Sequence, residues 1–259
     1  MTKSRERERS SLSLDFITNN VKTSVVKSVR TKLDSYKLLP KWYRYVMSYL
    51  NLFLGSILVK TDIRGRQYIP KKGPYIIAIN HFHIFDPALV AYSIRKPISF
   101  LAASDQEIEW YVILAGKLYG FIPTNRSHLA PSTIKKAIQV LSEGDILGIF
   151  PEATADFALR EPKKGVTYLS VKSACKILPV GIVGLDDIWN NWLRGVRPKV
   201  SVRIGKPFSV PEEFPPDRNK REKLLSDIGN AIMCHIAALL PEDRHGHYSG
   251  NQKIKYYKG

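Results

Sequence analysis

Between residues 75 and 204 the chain alternates short apolar, β-branched runs with stretches of helical periodicity. That alternation constrains the fold more than any other feature. Strands are expected at 57–63 (an edge strand closed by Gly65), 75–79, 98–103, 121–124, 146–150, 177–185 and 199–204. Helices are expected at 87–94, 108–118, 132–141, 166–174 and 220–240. Strands interleaved with helices predict an α/β fold, with a mainly parallel or mixed central sheet flanked by helices. In such a sheet the loops at the carboxyl ends of the strands converge, and the chemistry is expected there.

One strand end carries an obvious catalytic pair. The run 75–79 ends in Asn80 and His81, and four residues separate His81 from Asp86. Asp86-Pro87 reads as a helix N-cap followed by proline at the first helical position. A loop between them can fold the Asp86 carboxylate onto one ring nitrogen of His81. That fixes the tautomer, stabilises the imidazolium and leaves the other nitrogen free to take a proton. It is the base half of a triad with no protein nucleophile, suited to deprotonating a substrate hydroxyl. The alternative is a satisfied histidine beside a capping aspartate. His83 lacks the carboxylate spacing and is expected to line the pocket. No further ligand cluster accompanies the two histidines, so no metal site is expected.

Three more stretches follow at strand ends: Gly120-Phe121-Ile122-Pro123-Thr124-Asn125-Arg126, Ile149-Phe150-Pro151-Glu152-Ala153-Thr154 and Ile177-Leu178-Pro179-Val180. With the Asn-His-x4-Asp stretch they resemble, in order and spacing, the four signatures of the glycerolipid acyltransferases, the 1-acylglycerol-3-phosphate acyltransferase family. The resemblance covers about residues 60–205. It implies His81 and Asp86 as catalytic residues and an acceptor-binding role for Arg126, whose planar guanidinium can grip a phosphate in two places. Asn125 stands where the family often has aspartate. Glu152 is implied to contact the acceptor or to organise the site, and Thr154 to bond nearby backbone. The third signature usually reads Phe-Pro-Glu-Gly-Thr-Arg. Here Ala153 replaces the glycine, and Ala155 and Asp156 stand where arginine and serine are usual, so one phosphate ligand is missing. Lys163 and Lys164, before Gly165 at a helix start where N–H groups favour anions, are candidates to compensate, or else a solvated basic turn.

Charge narrows the partners. Forty Lys and Arg against 23 Asp and Glu give a net charge of +17 in 259 residues. Such an excess calls for a polyanion: nucleic acid, an anionic membrane surface or an acidic carrier. There is no zinc spacing, no aromatic-glycine RNA signature and no helix-turn-helix pattern, and nucleic acid is not expected. The basic residues concentrate instead beside aromatic, apolar sequence. Residues 1–35 form a polar extension, expected disordered or frayed, without the apolar core of a secretory signal. Residues 36–59 are rich in aromatics and aliphatics but broken by Ser48, Asn51 and Ser56, too short an apolar run to span a bilayer. They are expected to form a helix lying at the membrane interface. Eight basic residues against the single acid Asp62 fall between 36 and 72, a charge that attracts anionic lipid. The acyltransferase domain is expected at 60–240 and a mobile basic tail at 241–259. Cys175 and Cys234 sit in apolar, helix-like contexts as packing residues, and the setting is expected to be reducing.

The expected function is transfer of an acyl group from a thioester to a lysolipid hydroxyl. By the resemblance, the acceptor is 1-acylglycerol-3-phosphate and the product phosphatidic acid. Acyl-CoA and acyl carrier protein are both open as donor, and no cofactor is called for. The protein is expected to be peripheral or monotopic at the cytoplasmic face. Two alternatives stay open: a different lipid acceptor, with or without a phosphate, because the third signature is incomplete, and a catalytically weak membrane-bound lipid- or protein-binding module.

Overall fold

The computed structural model describes residues 40–103, 121–124 and 130–258. The strands are β1 (Lys60–Arg64), β2 (Tyr75–Ile79), β3 (Ile98–Ala103), β4 (Ile122–Thr124), β5 (Ile146–Ile149), β6 (Ile177–Val183) and β7 (Lys199–Ile204). They form one sheet in the order β1-β7-β6-β2-β5-β3-β4. β2 lies parallel to both β5 and β6, and β3 parallel to both β5 and β4. The five strands from β6 to β4 therefore deliver their carboxyl ends to one edge. β7 turns back antiparallel to β6 and carries β1 as a parallel edge strand. This is the mixed, mainly parallel sheet that the alternation predicts.

The strands read as continuous apolar runs because helices cover both faces. All five residues of β2 are buried. Successive side chains still alternate: Ile76 and Ala78 enter one hydrophobic cluster, and Tyr75, Ile77 and Ile79 enter the other. The first cluster is closed by Val140 and Leu141 of α3 (Pro131–Ser142), Leu169 of α4 (Lys164–Ser173) and Ile232 and Met233 of α6 (Arg218–Ala237). The second is closed by Leu89, Val90 and Ile94 of α2 (Asp86–Ile94) and Ile188 of α5 (Ile188–Leu193). Asp217 caps α6, its side chain accepting from the Lys220 N–H at 2.8 Å.

Helix α1 (Lys41–Leu58) packs on α2 with its polar side inward. Arg44, only 4% exposed, makes an ion pair with Asp145 at 3.1 Å, and its Nη2 donates to Ser99 at 2.8 Å. Ser48 is buried, Asn51 Nδ2 donates to the Ala88 carbonyl, and the Tyr92 ring lies against Gly55. These positions recur at spacings of four, three and four, one helical stripe. The outward face is apolar: Trp42, Tyr45, Tyr49, Phe53 and Ile57 are all exposed. The usual amphipathic arrangement is inverted. Among the described residues no helix is long and apolar enough to cross a membrane.

Four sequence expectations are corrected. The stretch 57–63 is not one strand: α1 continues through Leu58 before β1 starts. Phe85, not Asp86, is the N-cap of α2, because the Asp86 carboxylate serves the loop before it. The fourth signature is not at a strand end: it forms the first half of β6, with Leu178 and Val180 buried as core. The basic stretch after residue 240 is folded rather than a mobile tail. Tyr248 and Ile254 enter the first cluster, and the Tyr248 hydroxyl donates to Asn230 of α6 at 2.9 Å. Apolar anchors spaced through a polar segment hold it down, a pattern its average composition hides. The expected extension at 1–35 and helix at 108–118 lie outside the described residues.

Candidate active site

Two neighbouring strand ends, of β2 and β5, build the site. Asn80 at the end of β2 is fully buried. Its side-chain amide mimics a peptide group: Nδ2 donates to the Ile182 carbonyl at 2.9 Å, and Oδ1 accepts from the Ile182 N–H at 2.7 Å. This fastens the start of the loop to β6. A single oxygen, Asp86 Oδ2, then accepts from the Phe82 N–H at 2.8 Å, the His83 N–H at 2.7 Å and His81 Nδ1–H at 3.1 Å. Asp86 is 1% exposed. The loop is thus wound around one buried carboxylate. Nδ1 is committed to Asp86, so Nε2 is the ring nitrogen left to exchange a proton. The imidazole rests on Phe150 of the third signature, with ring centroids 4.4 Å apart, and Phe150 stacks in turn on Phe100. Phe100 fits there only because position 148 is glycine: a Cβ would come within 2.3 Å of its ring.

His83 is placed differently. Its Nδ1 accepts from the Phe85 N–H at 3.3 Å, its ring stacks on Phe85, and burial lowers its pKa. It lines a small depression together with Phe82, Asp86, Gly184 and Asp186. Among the described residues no carboxylate is hydrogen-bonded to its ring.

The third signature is tied to this loop through Glu152, which is 2% exposed. Oε2 accepts from the His81 N–H at 2.8 Å and Oε1 from the Arg160 N–H at 3.4 Å. Of the two roles implied for Glu152, the geometry is that of organising the site. The Asp156 N–H adds a second tie, donating to the His81 carbonyl at 3.0 Å. Thr154 Oγ1 donates to the Glu152 carbonyl at 3.3 Å, a local backbone bond as expected. Ala153 adopts a φ of 61°, in the left-handed region. The chain therefore keeps the turn that glycine normally makes and carries the strain of a Cβ. Left-handed geometry costs a non-glycine residue roughly 1–2 kcal/mol, and glycine returns roughly 0.5–1 kcal/mol of that in unfolded-state entropy. Ala153→Gly should accordingly raise unfolding free energy by up to about 1.5 kcal/mol, read from denaturant midpoints at constant slope.

Burial raises the Glu152 pKa to about 8, against the two backbone N–H donors that favour its charged form. A carboxyl raised in the fold above its unfolded value near 4.5 holds its proton while the unfolded chain has lost its own. Its contribution is intact below that unfolded value and is lost progressively as pH rises to about 8. Glu152→Gln is neutral throughout and keeps an oxygen for the His81 N–H. Between pH 5 and pH 8 the wild type should lose a few kcal/mol more stability than Glu152→Gln. Parallel Tm–pH curves for the two proteins would show that Glu152 is charged in the fold.

The remaining expected residues are spread out. Lys164 Nζ pairs with Glu222 of α6 at 3.0 Å. Exposed Lys163 is the N-cap of α4, and its N–H donates to the Pro151 carbonyl at 2.8 Å. Asn125 and Arg126 lie outside the described residues. Arg244, which nothing in the sequence singles out, reaches this region from the C-terminal segment. Its guanidinium forks onto Asp186 at 2.7 and 3.0 Å, donates to the Phe157 carbonyl at 3.0 Å, and stacks 3.8 Å over the Phe157 ring. The Phe82 ring lies on its other contact, at 5.7 Å. The C-terminal segment thus clamps the loops of the first and third signatures together. Among the described residues no group of His, Cys, Asp and Glu is gathered to hold a metal.

A mixed sheet thus presents an Asn-His-x4-Asp loop beside a Phe-Pro-Glu turn. Residues 60–183 of the chain match the model of the Acyltransferase family. The chain is 32% identical over 144 residues to a 1-acyl-sn-glycerol-3-phosphate acyltransferase of Borreliella burgdorferi, a match covering 54% of this chain and 57% of that protein. It is 24% identical over 168 residues to the Bacillus subtilis enzyme of the same name, covering 64% and 82%. The mouse 1-acyl-sn-glycerol-3-phosphate acyltransferase alpha is 26% identical, covering 61% of this chain and 58% of its own. The match thus spans little more than half of the Borreliella and mouse relatives. The fold is similar to that of the 1-acyl-sn-glycerophosphate (LPA) acyltransferase PlsC from Thermotoga maritima. The TM-score is 0.51 at 19% identity, over 87% of this chain and 96% of that one.

Proposed function

We propose that the protein transfers a fatty acyl group from an acyl thioester to the free hydroxyl of 1-acylglycerol-3-phosphate, giving phosphatidic acid. The observation that carries this reading is the His81 ring, held by Asp86 through Nδ1 with Nε2 uncommitted. Nε2 takes the hydroxyl proton as the oxygen attacks the thioester carbonyl carbon. The tetrahedral intermediate then collapses, the C–S bond breaks, and the leaving sulfur takes the proton from the imidazolium. Buried Asp86 stabilises that imidazolium. The step as written passes the acyl group directly from donor to acceptor and calls on no metal or cofactor. Acyl-CoA and acyl carrier protein are both acidic and suit a surface of +17. The names of the relatives support the phosphate-bearing acceptor.

A second acceptor reading rests on one observation. Ala155 stands where the family usually places arginine, and exposed Asp156 follows it. If the headgroup site keeps fewer cations, each remaining one matters more. Arg126→Ala should lower kcat/KM for 1-acylglycerol-3-phosphate by about tenfold to a hundredfold, the worth of one charge-assisted hydrogen bond. Arg126→Lys should rescue it only in part, and Ala155→Arg should improve it. Thioester consumption with this acceptor and with an uncharged lysolipid is the test. A wild type that prefers the uncharged lipid would overturn the phosphate assignment.

We assign α1 to the membrane interface, as part of a peripheral or monotopic protein at the cytoplasmic face. The inverted amphipathicity of α1 supports this: Arg44, Ser48 and Asn51 face the protein while aromatic side chains face out.

A further inference from the structure

The connection between β6 and β7 carries a second exposed apolar surface that the transfer reaction does not use. In α5 and the turn after it, Trp189 is 56% exposed, Leu193 87% and Val196 50%. Leu193 is the most exposed large apolar side chain among the described residues. The same stretch, 188–199, contains Arg194, Arg197 and Lys199 and no acid. Apolar tips beside exposed Arg194 and Lys199 fit an anionic phospholipid surface, with Asp187 held back at the N-cap of α5 and Asp186 paired with Arg244: the side chains enter the acyl boundary and the cations meet the headgroups.

The place of this surface supports the same occupant. Trp192 Nε1 donates to the Leu58 carbonyl at 3.0 Å, and the Arg197 guanidinium donates to the carbonyls of Ser56 and Val59. These are carbonyls that the C-terminal end of α1 would otherwise leave without an intrahelical partner. The two segments are therefore fastened together where α1 still exposes Ile57 and Leu58. On its other side, the connection meets the catalytic loop. Phe85, the residue before Asp86, lies 5.6 Å from the ring centroids of both Trp189 and Trp192. The Trp pair is packed edge-to-face at 5.5 Å. Ile84 at the outer turn of that loop is also exposed.

We propose that the β6–β7 connection is a second bilayer contact, seated through Leu193, Val196 and Trp189 on an anionic phospholipid surface beside the end of α1. Two contacts joined by hydrogen bonds define a plane, where one helix alone leaves rotation about its own axis free. Together they turn the His81 loop toward the lipid from which a membrane-resident acceptor is drawn. The proposal extends the interfacial assignment of α1 but shares no residue with it.

The test uses the full chain. Leu193→Cys, in a Cys175→Ser background, is labelled with the environment-sensitive dye NBD. Phosphatidylglycerol vesicles should shift its emission to the blue, and nitroxide-bearing lipid should quench it. Glu213→Cys, labelled in the same way, should respond to neither. Independently, Leu193→Asp/Val196→Asp should lower partitioning onto phosphatidylglycerol vesicles by about tenfold to a hundredfold. It should leave transfer to a dispersed short-chain lysolipid unchanged, since both side chains are exposed and neither touches the site. An unresponsive dye at position 193, or equal partitioning of variant and wild type, would overturn the proposal. So would a parallel loss of transfer to the dispersed acceptor, which would make the segment a support of the site. A wild type that consumes no thioester would count against the acyltransferase reading and leave the dye result standing.

Discussion

His81→Ala should lower the rate of thioester consumption at saturating donor by roughly 10²–10⁴-fold, the range that a positioned general base supplies. His83→Ala, two residues away, should cost at most a few fold. The two imidazoles share a loop but not an environment. His81 Nδ1 faces a carboxylate buried to 1% exposure, so the proton it takes at Nε2 is electrostatically supported. His83 is desolvated, has its pKa lowered, and already spends Nδ1 on the Phe85 N–H. A base whose charged form is disfavoured cannot carry the proton at low cost. Tm of both variants should stay near that of the wild type, because neither ring fills a core position. Equal losses from the two substitutions would refute the assignment of His81.

The features legible in the sequence are those set by local pattern. Apolar runs fixed the strands because both faces of the sheet are covered, and the spacing of His81 and Asp86 foretold their contact because the loop between them is only four residues long. What the sequence hid depends on distant contacts. Asn80 is a plain loop amide until Ile182, 102 positions away, offers its backbone. A buried asparagine at a strand end does call for such partners, and that was the available signal. Arg244 sits in a segment whose average composition reads as a solvated tail. Only the fold brings it to Asp186 and Phe157. The apolar content of α1 was plain, but its orientation was not. The polar residues that interrupt it, Ser48 and Asn51, mark the side facing the protein, because Asp145, Ser99 and Ala88 present polar groups there.

Asp86→Asn should separate the two things this residue does. Oδ2 accepts three hydrogen bonds, while buried Oδ1 accepts none. An asparagine that places its oxygen at the Oδ2 position keeps all three donors satisfied, so the loop retains its shape. Its NH₂ then occupies the Oδ1 position as a buried donor without an acceptor, which costs about 1–3 kcal/mol of stability. The negative charge opposite the imidazolium is lost at the same time. kcat/KM should fall by about 10²-fold or more, with KM for the donor nearly unchanged, since the carboxylate acts on the proton and not on binding. Asp86→Ala removes the acceptor as well. Three donors are then left facing a cavity, and both Tm and activity should fall further than in Asp86→Asn. The ordering matters more than either value. If Asp86→Asn kept full activity with a lowered Tm, the carboxylate would be a loop fastener alone, and His81 would act without it. If both variants lost activity equally at unchanged Tm, the charge would be essential and the three-bond loop scaffold dispensable.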